Sequence, residues 1–180
     1  MSNSATFKGQ AAVEVLAYAS FFLLVFAAVA AIFLQMQNNE LSRAESAYAQ
    51  EIAYGFADNV RTAFIAGPGF SQEIALPARL LGKPYQIRIS SSADLPLDTP
   101  ITETGFIYVE WLGTSGQPQS FSAPAATPAF RAANSPPFIT TDGNFISIDA
   151  SMCRRMNLTN VIDSADGKNV IRVEKGSGCS

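Results

Sequence analysis

Residues 8 to 16 read Lys8-Gly9-Gln10-Ala11-Ala12-Val13-Glu14-Val15-Leu16, and the apolar run that opens there continues to Leu34. From Ala11 to Leu34 there are 24 residues, and Glu14 is the only charge among them. At about 1.5 Å per residue this is a helix roughly 36 Å long, enough to cross a hydrocarbon core of about 30 Å. A secretory signal carries its small-residue cleavage site after the apolar segment, which is then discarded. Here the small residue, Gly9, comes before the segment, behind a short polar stretch with one lysine. A cut after Gly9 removes a leader of residues 1–9 and leaves the apolar helix as the new N-terminus. Lys8 favours a cytoplasmic location for that end.

Lys8, Gly9, Gln10 and Glu14 resemble, position for position, the processing site of archaeal type IV pilins with a class III signal peptide. In that family a prepilin peptidase cuts after Gly, and the mature chain begins with Gln and carries Glu at its fifth position. The longer archaeal pattern Q-x-S-x-E-x-x-x-L is met in part, since Ala12 stands in the Ser position and Tyr18 in the Leu position. The resemblance covers residues 8 to about 34. It implies that Glu14 pairs with the freed α-amine of Gln10 on a neighbouring subunit, neutralising two charges inside a bundle of apolar helices. An intrasubunit contact is the alternative, because positions 10 and 14 are i and i+4 on one helix.

The plainer reading of the same stretch is a signal anchor holding an unrelated ectodomain. Gly at the apolar boundary and a carboxylate within the span argue against it, since ionisable residues inside a membrane are costly and mark function. Ala11, Ala12, Ala17, Ala19, Ser20, Ala27, Ala28, Ala30 and Ala31 allow close helix approach in an apolar medium. The run Phe21-Phe22-Leu23-Leu24-Val25-Phe26 serves equally to fill space between helices or to face lipid.

Beyond Leu34 the polar patch Gln35 to Glu40 is followed by Leu41, Ala44, Tyr48, Ile52, Phe56, Val60 and Phe64, spaced three or four apart. This is the stripe of an amphipathic helix, with Arg43, Glu45, Glu51, Asp58 and Arg61 on its other faces. Gly67-Pro68-Gly69 ends it, and Gly55 offers a place to bend. One helix over residues 10–66 would be about 85 Å long, with 10–34 in apolar surroundings and 35–66 along a domain.

After the Gly-Pro-Gly break the period becomes two. Residues 71–76, 84–91, 105–112, 144–150 and 168–175 are predicted strands, and Asp166-Gly167 the turn of a hairpin joining 158–163 to 169–174. Residues 92–104 and 113–143 read as loops, the second holding five of the ten prolines. The predicted fold class is α+β: a long N-terminal helix packed on an antiparallel sheet of four to six strands in a β domain over 67–180.

Composition narrows the function. The 180 residues are 48% hydrophobic and 15% charged, with a formal net charge of -3. That balance supplies no basic patch for nucleic acid. With no histidine, neither a Ser–His pair nor a zinc site with histidine ligands can form. Cys153 and Cys179 are the only cysteines, and in a chain that leaves the cytoplasm they read as one disulfide closing a 27-residue loop. Asn157-Leu158-Thr159 is an N-glycosylation sequon. Asp142-Gly143-Asn144 and residues 163–167 look like turns without calcium-loop spacing, and Gly82-Lys83 like a turn rather than a phosphate loop.

The expectation is therefore a non-enzymatic filament subunit without cofactor, catalytic residues or metal. Its implied partners are a prepilin peptidase, an assembly ATPase, a membrane platform protein and copies of itself. The precursor would sit in the cytoplasmic membrane and the assembled product in a cell-surface filament serving adhesion or attachment. A motility filament subunit (archaellin) or a minor pilin fits the same residues. A signal-anchored binding or enzymatic ectodomain is the alternative of another class.

Overall fold

The computed structural model describes residues 4–90, 105–125, 130–132, 139–142, 145–164 and 167–176. The predicted 92–104 loop, Gly143, Asn144, Asp166 and Cys179 lie outside them. The chain divides into two compact units, Met1–Leu41 and Ser42–Ser180. The α+β plan holds: among the described residues one long helix, α1 (Ser4–Ala66), precedes nine strands.

Helix α1 begins about six residues before the expected start at Gln10, with Gly9 inside it. No proline interrupts residues 4–9, and a single interior glycine costs only about 1 kcal/mol. The helix ends where Gly-Pro-Gly predicts. Gly67 takes φ 87° and its N–H donates to the Phe64 carbonyl at 3.3 Å, a left-handed stop that a side chain would strain.

In the second unit the strands form two sheets. The first contains β1 (Ser71–Ala75), β8 (Arg155–Ile162), β9 (Asn169–Lys175) and β5 (Phe130–Ala132), in the order β1-β8-β9-β5. The second contains β4 (Pro118–Pro124), β3 (Phe106–Leu112), β2 (Tyr85–Ser90), β7 (Phe145–Asp149) and β6 (Ile139–Asp142), in the order β4-β3-β2-β7-β6. Among the described residues all strand pairings are antiparallel except β5 with β9, which is parallel. Alternation sets the register: Ile87 lies between Val109 and Ile148, all three fully buried, while the intervening residues face outward.

Two expectations need correction. Nine strands in two sheets replace a single sheet of four to six. The additional strands, β4, β5 and β6, all fall within residues 113–143, which read as a loop. Pro118 and Pro124 bracket β4, an edge strand in which a missing N–H is tolerated. Strand β5 has only three residues, anchored by buried Phe130. The β8–β9 hairpin is present, but it closes from Ile162 to Asn169 through a longer loop, in which the Asp163 N–H donates to the Lys168 carbonyl at 2.8 Å.

The second correction concerns the buried face of α1. Leu41 and Ala44 are exposed, and the buried stripe is Ala49, Ile52, Ala53, Phe56, Ala57, Val60 and Ala63. These residues share one core with the inner faces of both sheets, including Ile87, Ile107, Met156, Leu158 and Ile171. Ile52, Phe56 and Val60 stay on the buried face as expected, and Ala49, Ala53, Ala57 and Ala63 take its remaining positions. Glu45, assigned to an outer face, is fully buried.

Candidate functional site: the apolar surface of α1 and the anchoring of its second half

In the first unit, the large apolar residues from Val13 to Leu34 are exposed, from 40% at Val25 to 72% at Phe26. Residues 21–26 are six consecutive apolar side chains, and at about 100° per residue they surround the helix. A helix that is apolar all round belongs in lipid or among other helices, and soluble monomers seldom expose contiguous apolar patches beyond a few hundred Å². The serine in this stretch is satisfied within the helix: the Ser20 hydroxyl donates to the Leu16 carbonyl at 2.8 Å. Among the described residues this is the one helix long and apolar enough to cross a membrane.

The expected site residues distribute as follows. Lys8, Gly9 and Gln10 lie on α1, one helical turn or more before Glu14. Glu14 is exposed on the same helix, four residues beyond Gln10. Cys153 is buried, and no cysteine among the described residues is free. The expected partner Cys179 is outside those residues. The chain does return toward Cys153, however: the Gly176 N–H donates to the Arg155 carbonyl at 3.0 Å. A Cβ at Gly176 would stand 2.5 Å from that oxygen, so glycine permits this approach. Asn157 is half-buried on the outer face of β8 and accepts a hydrogen bond from the Ser71 hydroxyl at 2.9 Å.

Two polar groups that hold the second half of α1 escaped the sequence reading. Glu45 sits where α1 meets the five-stranded sheet. Its Oε1 accepts from Lys83 Nζ and from the Thr114 hydroxyl, each at 2.5 Å, and its Oε2 accepts from Trp111 Nε1 at 3.2 Å. Burial pushes this carboxyl pKa up, but the hydrogen bonds from Lys83, Thr114 and Trp111, with the lysine charge, outweigh it and hold the group below its ordinary value. Lys83 reaches the site through a tight turn: Leu80 and Lys83 exchange two backbone hydrogen bonds of 2.9 Å across Leu81 and Gly82, both at positive φ. Thus the Gly82-Lys83 turn serves to aim an ammonium.

At the other end, buried Asn160 on β8 donates through Nδ2 to the Ala63 and Phe64 carbonyls at 3.0 and 3.2 Å. It satisfies terminal helix carbonyls that have no intrahelical partner. Its backbone also accepts from Gly69 and donates to the Phe70 carbonyl, so the same residue fixes the exit of the chain. The available signal was an amide at an inward position, since Met156, Leu158 and Asn160 alternate in β8. No protein-family profile, curated protein or solved structure matches this chain.

Proposed function

We propose that this protein is a structural subunit of an archaeal type IV pilus-like surface filament, made as a membrane precursor and polymerised through the N-terminal half of α1. The observation that carries the reading is an apolar helix surface, exposed on every side from Val13 to Leu34, with Glu14 as its one acidic or basic residue. In the precursor that surface faces lipid; after polymerisation it faces the same surface of other subunits, and small residues such as Ala17, Ala27 and Ala31 permit close packing.

Removal of residues 1–9 by a prepilin peptidase places a cationic α-amine on Gln10, its reference pKa being about 8. Glu14 of an axially offset neighbour compensates that charge, which fixes register as well as energy. The assembly ATPase and membrane platform protein act on the membrane-held form. In the extracellular product Cys153 and Cys179 form a disulfide, for which the return of Gly176 to Arg155 is the supporting geometry. Asn157 serves as the glycan acceptor on the outer face of β8.

The test is Glu14→Gln. The amide has nearly the shape of the carboxylate, and its neutrality favours membrane insertion. Synthesis, insertion and leader removal should persist. Each subunit addition would then bury an amine without its counter-ion, a loss of about 3–5 kcal/mol when a buried pair is broken. Electron microscopy of cells expressing only this variant should show few or no filaments while processed monomer accumulates in the membrane. Normal filaments would remove Glu14 from assembly. Absence of filaments from wild-type cells would leave a signal-anchored ectodomain as the better reading.

A further inference from the structure

The outward face of the five-stranded sheet joins aromatic rings to a fixed polar row. Phe106, Tyr108 and Glu110 point outward from β3, while Ile107, Val109 and Trp111 between them are buried. The neighbouring β2 contributes Gln86 and Arg88, and β7 contributes Phe145. Ring centroids of Phe106 and Tyr108 are 6.3 Å apart, and those of Tyr108 and Phe145 are 6.1 Å apart. The Arg88 guanidinium carbon lies 4.4 Å from the Phe145 centroid, and its Nη1 is 3.1 Å from Glu110 Oε1. Gln86 Nε2 donates to Glu110 Oε2 at 2.9 Å. The row runs into a depression of about 510 Å³ lined by Gln86, Glu110, Trp111, Gln119, Ser120 and Asp149.

We propose that this face binds a neutral polysaccharide, whose sugar rings lie on Phe106 and Tyr108, beside the Phe145 ring that carries Arg88, and whose hydroxyls bond the Gln86–Glu110–Arg88 row. A pyranose offers an apolar C–H face and a rim of hydroxyls. Its complement is an aromatic surface edged by planar amide, carboxylate and guanidinium groups. The polar row is held by its own hydrogen bonds and by the stack on Phe145, so little ordering remains to be done on binding. Single-stranded nucleic acid also stacks on aromatic sheet faces, but it needs a positive groove. Here Arg88 is already paired with Glu110, and Asp149 adds a second carboxylate beside the row. A second copy of the chain fits less well, since charged residues are depleted from the centre of protein interfaces. The proposal does not depend on the filament reading.

The test uses the full chain in a detergent without a sugar head group, run through native gels containing soluble β-glucan, mannan or galactan. Heparin and an oligothymidylate are the polyanion probes. At least one neutral polysaccharide should retard the wild-type chain. Tyr108→Ala and Phe145→Ala should each weaken retardation by up to about tenfold, as loss of an aromatic contact allows. Tyr108→Trp should retain it. Gln86→Ala, a surface change that leaves the rings in place, should also weaken it, which guards against a folding defect in the aromatic variants. The proposal fails if no neutral polysaccharide retards the protein, or if retardation survives loss of the rings. It fails equally if only heparin or the oligonucleotide binds, or if the variants change self-association and nothing else.

Discussion

Replacing Lys83 by Met would remove the only cation shown bonding to Glu45, a carboxylate whose side chain is 1% exposed. Breaking a buried pair from one side costs about 3–5 kcal/mol. Two features place this case at the lower end, about 3 kcal/mol at pH 7: Thr114 and Trp111 still donate to the carboxylate, and screening already weakens a lysine that is 28% exposed. The pH dependence has a definite sign. In the wild type the folded carboxyl pKa is depressed, so its stabilisation is complete above the ordinary value of 4.5 and disappears as pH falls through the lower folded value. In Lys83→Met the upward push of burial is no longer countered by the lysine, so acid relieves the variant. The difference between the two proteins should therefore be smaller at pH 3.5 than at pH 7. Trp111 is the only tryptophan and its indole donates to Glu45, so urea titrations followed by its fluorescence report on this site. They are run on the full chain in nonionic detergent at both pH values. A difference below about 0.5 kcal/mol at pH 7, or one unchanged at pH 3.5, would refute the assignment of Glu45 as a charged anchor.

Leader removal predicts mature protein beginning at Gln10, with Gly9→Val retaining residues 1–9; intact mass of membrane-extracted protein reads both. Peptide maps of surface protein alkylated before lysis should contain a Cys153–Cys179 pair, and its reduction should lower stability by roughly 3.5 kcal/mol in the chain-entropy account of a 27-residue loop. Leu81 holds φ 46° in the turn that aims Lys83 and is about half exposed. Leu81→Asn should raise the urea midpoint by about 1 kcal/mol equivalent, because asparagine tolerates the left-handed region; an unchanged or lower midpoint would contradict strain at that residue.

The long helix, its stop and its unusual apolar half were all legible in the residues. No proline occurs before Pro68, Gly67 and Gly69 flank it, and six consecutive apolar residues from Phe21 need no partner to be recognised. Six strands were likewise legible, because alternating burial is written locally in segments such as Gln86-Ile87-Arg88-Ile89. The tertiary structure alone decided which side of α1 is buried and which weak segments pair. Glu45 reads as a surface acid until Lys83, Trp111 and Thr114 arrive from 38, 66 and 69 residues away to satisfy it. Asn160 looks out of place in a strand until the carbonyls of Ala63 and Phe64 at the end of α1 are set against it. Strand β5 has three residues, and its strand character comes from the parallel edge of β9. Apolar periodicity is a local property, because burial favours each such residue wherever the core lies. A buried polar group or a short edge strand is stable only through a partner distant in sequence, and no local pattern records that partner.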